Sequence, residues 1–529
     1  MTGTREDLKR YWVLAREHEA AGNLHAAKAA YEAIVDIDAG HPIAWVRLSE
    51  FARQEGRYRS SHACALQAAA AAKANQRSKS LPYVIQQLLG FDERDAIRTL
   101  IEGADWSSPQ ALEQSAVLSQ GLWLADHYDS ALRLIDYAST QVPPNHLLAY
   151  SRGNVLRYLG RMREATDEFE RCLSMSPHYA YAHWSLAYHA PSDRPGERIV
   201  RIRQAQDALP DDTLDQVYLG YALFKESDDI GDVDQAWAAL QLAARAMRRR
   251  LDYDPAQEQR GLSALLQATS SVVASRSGTH SGQTPLFIVG MPRSGTTVLD
   301  RILGNHSAVA SAGELNDFSR ALSWEADHFY DVPPSERSTH AAKTVDFSSV
   351  GARYLQRTLG RYMGKTHLID KNPANIFNAG FIAKALPQAR IICLLRNPMD
   401  TCFSNLKELF SANAFGYSYD LEELADHYLR FRRLVKHWQE MLPGRFHVVE
   451  YEALVANPLQ TSKEVMQFCG LPFEPGCIDI VSNAAPVSTA SSSQVRRPIN
   501  EHSVGAWQKY AQQLRPLQSK IDAALPAMR

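Results

Sequence analysis

The stretch Pro285-Leu286-Phe287-Ile288-Val289-Gly290-Met291-Pro292-Arg293-Ser294-Gly295-Thr296-Thr297 constrains this chain more than any other. An apolar run stops at a glycine, turns, and reopens as Gly-Thr-Thr ahead of an amphipathic segment. That is the pattern of a strand, a phosphate-cradling loop and a helix. Gly290 and Gly295 stand at the spacing of a P-loop, but Thr296 occupies the position of its lysine. In a nucleoside triphosphatase that lysine reaches the β- and γ-phosphates, and the hydroxyl after it holds Mg²⁺. Its absence argues against ATP or GTP hydrolysis, whereas loop N–H groups and a helix N-terminus still suit one phosphate. Arg293 adds a positive charge inside the loop. A loop of this make-up fits a donor that needs no metal.

Downstream, short apolar runs alternate with amphipathic segments. Strands are expected at Leu286 to Val289, His367 to Ile369, Ile391 to Leu395 and His447 to Glu450. Helices are expected at Thr297 to Leu303, Ala374 to Ala385, Met399 to Phe410 and Ala425 to Met441. Such alternation predicts a mostly parallel sheet covered by helices, with its ligand at the C-terminal strand ends. Two more strand ends carry polar residues: Asp370-Lys371-Asn372-Pro373, and Arg396-Asn397-Pro398-Met399-Asp400 followed by Ser404. Arginine at a strand end with a hydroxyl near it makes a fork for a second phosphate. Together with the loop, these residues describe a nucleotide bearing phosphate at both ends of its ribose.

The first half reads differently. Residues recur at an offset of 34: Gly22 as Gly56, Ala131 as Ala165, Ile135 as Phe169, Ala138 as Cys172, Pro143 as Pro177 and Tyr150 as Trp184. The period, with small residues at helix crossings, resembles tetratricopeptide repeats, in which helix pairs stack into an α-solenoid. The pattern fades between 75 and 110 and after 190, which leaves roughly four to six units. Such arrays bind a peptide or protein on a concave face, or serve as scaffold. Small polar residues at 274–284 read as a linker, so the expected order is repeats over 1–273, linker, and an α/β domain over 285–529.

Composition narrows the classes. A net charge of −2 over 529 residues gives no overall pull toward nucleic acid. No apolar run approaches the ~20 residues needed to cross a bilayer, and residues 1–10 do not read as a signal peptide. Six cysteines (64, 172, 393, 402, 469 and 477) lack metal or disulfide spacing. The expectation is a reduced, cytoplasmic protein without a metal site.

Taken in order, Pro-Arg-Ser-Gly-Thr-Thr, Gly313-Glu314, Asp370-Lys371-Asn372-Pro373 and Arg396 with Ser404 resemble the sulfotransferase superfamily, nearest its tyrosylprotein sulfotransferase branch and the bacterial proteins that join such a domain to tetratricopeptide repeats. The resemblance covers most of 285–510. It implies the donor 3′-phosphoadenosine 5′-phosphosulfate and the product adenosine 3′,5′-bisphosphate. It also implies donor contacts from Arg293, Ser294, Gly295, Thr296, Thr297, Arg396, Ser404 and Tyr451. A late loop resembling that of the branch adds Ser491, Gln494, Val495, Arg496, Arg497 and Asn500. Two positions depart from the branch: Ala506 replaces a lysine before Trp507, and Glu408 replaces an arginine four residues beyond Ser404. Lys407, Arg496 or Arg497 are then left to compensate at the 3′-phosphate.

Sulfuryl transfer needs a base on the entering side and cations on the leaving side. Glu314 is assigned as base by the resemblance, and because a carboxylate after Gly313 can reach across the strand ends. Arg293 and Lys371 are assigned to the leaving oxygen. His306 and His367 are weighed as bases and ranked below Glu314. Trp324, Phe329, Tyr330, Phe415, Tyr417 and Tyr419 mark segments that either line an acceptor groove or pack the core. The implied acceptor is a hydroxyl or phenol, with a protein or peptide tyrosine suggested by the repeats. The alternatives are a small-molecule or carbohydrate sulfotransferase, a repeat adaptor with a relic nucleotide domain, and a kinase with a divergent loop.

Overall fold

The computed structural model of the protein describes residues 4–74, 78–270, 282–410, 413–483, 485 and 497–528. They form two compact units: Met1–Leu156 with Ser323–Phe329, and Arg157–Leu322 with Tyr330–Arg529.

Among the described residues, seven helix pairs run through the first 248 positions, from Arg5–Ala20 with Leu24–Ile37 to Leu214–Asp229 with Val233–Arg248. The device that turns each pair is a residue with positive φ. Gly22, Gly56, Asp92, Asp126, Gly160 and Gly231 each take such a conformation two residues before the second helix of a pair begins, and Gly196 takes it one residue before. Glycine adopts this region freely, and aspartate is one of the few side chains that tolerate it. The expected four to six units therefore become seven. The pair 81–90 with 94–102 turns at Asp92, where the preceding pair has Gly56.

In the first unit the crossings are closed by alanines buried beside larger residues, such as Ala15, Ala27 and Ala44 around Tyr31 and Phe51. Phe329 lies 5.0 Å from Tyr58 by ring centroid, under the guanidinium of Arg53, and Trp324 also packs on Tyr58. These two aromatics are packing residues.

In the second unit the later repeat helices share one core with the α/β elements. Phe224, Leu240 and Leu265 belong to the cluster that holds Phe287, Ile391 and Trp438. Polar contacts fix the same seam. Tyr188 donates its hydroxyl to the carbonyl of Lys407 (2.6 Å) and Tyr221 to that of Leu406 (3.1 Å). Arg248 pairs with Glu423, and Tyr510 donates to Asp228.

Glu258 is a buried carboxylate in this seam, 2.7 Å from His427 Nδ1 and 3.1 Å from Arg430 Nη2. Burial alone would raise its pKa, but His427, Arg430 and Tyr253 hold it down to about 2. A depressed folded pKa stabilises above the unfolded value, near 4.5, and this contribution is lost as pH falls toward 2. Between pH 7 and pH 3, wild type is expected to lose about 2 kcal/mol more stability to urea than Glu258→Gln. Equal losses in the two proteins would show that the carboxylate is not linked to folding.

The sheet comprises β1 (Thr284–Gly290), β2 (Val309–Ser311), β3 (His367–Lys371), β4 (Arg390–Leu395) and β5 (Phe446–Glu450). Its order is β2-β3-β1-β4-β5, with every pairing parallel. Both faces are covered. Phe287 and Val289 enter one apolar cluster and Leu286 and Ile288 the other, as the two-residue period of a strand requires. Ile391 and Cys393 against Ile392 and Leu394 repeat that division on β4. All five C-terminal strand ends consequently open on one edge, where polar side chains escape the two cores.

Candidate active site

The loop after β1 is built around close approaches. Arg293 has a φ of 66°, and Gly295, at 101°, precedes the helix Thr296–Gly304. A Cβ on Gly295 would stand 2.3 Å from the ring of Tyr451, the residue that follows β5. Tyr451 also carries the guanidinium of Arg396 on its ring face (4.9 Å) and exchanges a hydrogen bond with Ser503 (2.9 Å). Arg396, at the end of β4, donates to the carbonyls of Arg293 (3.1 Å) and Ser503. Two buried polar atoms here lack hydrogen-bond partners among the described residues, Ser294 Oγ and Arg396 Nε. The N-terminus of Thr296–Gly304 has no side-chain cap. Unpaired donors and an uncapped helix start around a cationic loop fit a bound anion.

Next to it, the helix Pro398–Leu406 presents Ser404 toward the loop, with Arg293 Nε 3.4 Å from its hydroxyl. This helix stops four residues short of its expected end at Phe410. Glu408 therefore lies beyond the helix, buried, its carboxylate 3.7 Å from Arg293 Nε. Lys407 sits over the ring of Phe403 at 5.1 Å. Burial first, then the charge of Arg293, pushes its ammonium down to about 8.

On the other side of the loop, Lys371 ends β3 and Glu314 follows β2. Lys371 Nζ is 2.5 Å from Glu314 Oε1, with the lysine side chain 2% exposed and the glutamate 46%. The Lys371 N–H donates to the carbonyl of Gly313 (2.9 Å), which locks the two segments together. Asp300, whose carboxylate accepts from Ser311 (2.6 Å), faces the same lysine; burial raises its pKa and Lys371 opposes the rise. Asp370 points to the opposite face, where Tyr354 and Asn375 donate to it. Lys371 thus pairs with Glu314 and not with its sequence neighbour Asp370.

The two histidines are placed elsewhere. His306 is buried against the carbonyl of Pro472 (2.9 Å), and His367 begins β3 at the end remote from the loop.

Of the late-loop residues, Ser491, Gln494, Val495 and Arg496 lie outside the described residues. Arg497 and Asn500 are exposed, and Asn500 bonds within its own turn to Pro498 and His502. Among the described residues of this stretch, Ser503 reaches the site, and sequence reasoning missed it. Its only signal is a position shortly before Trp507. Asp400 secures the segment by accepting from the N–H groups of Gly505 (2.7 Å) and Trp507 (3.2 Å). Ala506 lies between these two residues. Tyr330, Tyr417 and Tyr419 are core residues, and Phe415 stacks on Phe410 at 4.4 Å. The described parts of these aromatics read as packing.

A parallel sheet with an anion-directed loop on its central strand and cations at both neighbouring strand ends defines an α/β domain whose strand ends suit a phosphate-bearing ligand. Residues 285–475 match the sulfotransferase family, and residues 8–41 and 148–179 match the tetratricopeptide repeat. One chain thus joins a region similar to tetratricopeptide repeats to a region similar to the sulfotransferase family. An uncharacterized protein of Aquifex aeolicus is 27% identical over 372 residues, 69% of this chain and 48% of its own length. The protein-tyrosine sulfotransferase of Drosophila melanogaster is 22% identical over 242 residues, 42% of this chain and 46% of that protein. Protein-tyrosine sulfotransferase 1 of Danio rerio is 23% identical over 234 residues, 42% and 65% of the two chains. The chain thus spans between 46% and 65% of the length of these relatives. The solved sulfotransferase domain of the Synechococcus PCC 7002 olefin synthase aligns at a TM-score of 0.32 with 18% identity, over 46% of this chain and 98% of its own. Among the described residues, no helix is long and apolar enough to cross a membrane.

Proposed function

We propose that the protein transfers the sulfuryl group of 3′-phosphoadenosine 5′-phosphosulfate to a hydroxyl or phenol, using residues 285–529 as catalyst and 1–273 as a repeat region. The observation that carries this reading is the Lys371–Glu314 pair beside a P-loop that lacks its lysine. In the transfer, the bond from sulfur to the acceptor oxygen forms while the bond from sulfur to the 5′-phosphate oxygen breaks. Glu314, half-exposed, takes the acceptor proton. Lys371 and Arg293 neutralise the charge left on the phosphate, the task that Mg²⁺ performs in kinases. Ser294, Gly295, Thr296 and Thr297 hold the 5′ end, and Arg396, Ser404 and Lys407 hold the 3′-phosphate. The relatives named as protein-tyrosine sulfotransferases and the attached repeats favour a peptide or protein tyrosine as acceptor. Six free cysteines, five of them buried, suit a reducing cytoplasm.

A thermal-shift titration with adenosine 3′,5′-bisphosphate, set against ATP with Mg²⁺, tests the donor. Binding stabilises by RT ln(1 + [L]/Kd), about 2.7 kcal/mol at a hundredfold excess over Kd. The bisphosphate is expected to raise the Tm of wild type and not of Arg396→Ala. A larger shift with ATP and Mg²⁺ would overturn the assignment.

Lys407 gives the donor site a pH dependence. Its ammonium is charged below about 8 and neutral above, so its attraction for a phosphate is present at pH 7 and lost by pH 9. Affinity for the bisphosphate is expected to fall about tenfold across that interval, and Lys407→Met should flatten the profile. An unchanged slope in the variant would remove Lys407 from the site.

A further inference from the structure

Asp300 is a buried acid that the chemistry just described leaves unused. It stands in the helix Thr296–Gly304, among the apolar Leu299, Ile302 and Leu303, and is 8% exposed. Its Oδ1 accepts from the Ser311 hydroxyl (2.6 Å), and its Oδ2 accepts no hydrogen bond among the described residues. A neutral asparagine would make that one bond equally well, whereas burying an ionised carboxylate on a single hydroxyl is costly. The helix dipole does not offset the cost, because its effect fades within the first turn and Asp300 lies past it. A charge in such a place calls for a cation. Two face it, Lys371 and Arg301, and Arg301 gives N–H groups to Asn483 and to the carbonyl of Ala485. Burial raises the Asp300 carboxyl, the charge of Lys371 leads the opposing influences ahead of Ser311 and Arg301, and Glu314 adds to the rise. The backbone ties acid and lysine together. Ser311 Oγ accepts from the N–H of Gly313 (3.4 Å), and the Gly313 carbonyl accepts from the N–H of Lys371 (2.9 Å). The Lys371 ammonium, on a side chain 2% exposed, thus has Glu314 in contact and a second acid set behind it.

Resting on the transfer reading above, we propose that Asp300 is a positioning residue for the Lys371–Glu314 pair, a buried second anion that holds the Lys371 ammonium whenever Glu314 leaves it. A base that takes the acceptor proton gives up its negative charge. A buried ammonium that loses its only anion is strongly destabilised. With Asp300 behind Lys371, Glu314 turns to the acceptor and becomes neutral while the lysine stays charged and in place for the leaving oxygen.

Nuclear magnetic resonance of the full chain, isotope-labelled at its lysine side-chain nitrogens and free of ligand, reads the ammonium directly. A buried, ion-paired ammonium exchanges its protons slowly enough to be seen, and the signal missing from Lys371→Arg belongs to Lys371. Wild type is expected to show that signal, and Glu314→Gln to keep it, since Asp300 remains. The double variant Glu314→Gln with Asp300→Asn, whose asparagine still accepts from Ser311, should lose it while its circular dichroism stays that of wild type. Loss of the signal in Glu314→Gln alone, or its absence from wild type, would overturn the proposal without any change at Asp300. So would an undiminished signal in the double variant. Failure of wild type to bind adenosine 3′,5′-bisphosphate would instead overturn the transfer reading, and it is seen separately, because the lysine signal is read without ligand.

Discussion

Glu314→Ala is expected to bind adenosine 3′,5′-bisphosphate as wild type does while its rate of sulfuryl transfer falls about a thousandfold or more, the range spanned by general bases. The split follows from position. Glu314 is 46% exposed on the segment after β2, and its ion pair is with Lys371. It lies across the sheet edge from the Arg396 and Ser404 side of the loop, so its removal leaves those donor contacts in place. Glu314→Gln sharpens the test, because an amide oxygen still accepts from Lys371 and cannot take a proton. Both variants should lose turnover together. A glutamine variant with near-wild-type rates would assign Glu314 to holding Lys371 and send the search for a base elsewhere.

Gly295→Ala is expected to produce the largest loss of donor binding of any single methyl added to this chain. The φ of 101° is costly for a side chain, and the added Cβ would fall 2.3 Å from the ring of Tyr451. Relief requires moving Tyr451, which carries Arg396 and contacts Ser503, or lifting the N-terminus of the helix Thr296–Gly304. Strain and overpacking together amount to about 3 kcal/mol, more than a hundredfold in affinity. Titration with the bisphosphate measures it, and a Kd within threefold of wild type would show that loop and tyrosine yield independently.

Much of this architecture was legible in the chain because it follows from local rules. The strand β1, its loop and the helix after it fall within two residues of their expected ends, since an apolar run, a glycine turn and a helix start each leave a mark. β2 left none: Val309–Ser311 is three residues long and only partly apolar, and it exists because β3 offers it a partner. The repeat count was obscured for a related reason, Asp92 and Asp126 performing a turn that a glycine pattern does not capture. At the site, Arg293, Glu314, Lys371, Arg396, Ser404 and Tyr451 were nameable from motif residues at strand ends. Their partnerships were not. That Lys371 chooses Glu314 over its neighbour Asp370 depends on the alternation of faces along β3, and that Ser503 reaches Tyr451 depends on a chain reversal anchored by Asp400.

The hydroxyls of Tyr188 and Tyr221 reach the carbonyls that end the helix Pro398–Leu406. Recombination that joined this α/β domain to a different set of repeats would strip those two carbonyls of their partners, one turn from Ser404. The graft could keep every motif residue and still inherit a slack loop region. The last helices before the sheet have to descend with the α/β domain as a single heritable piece.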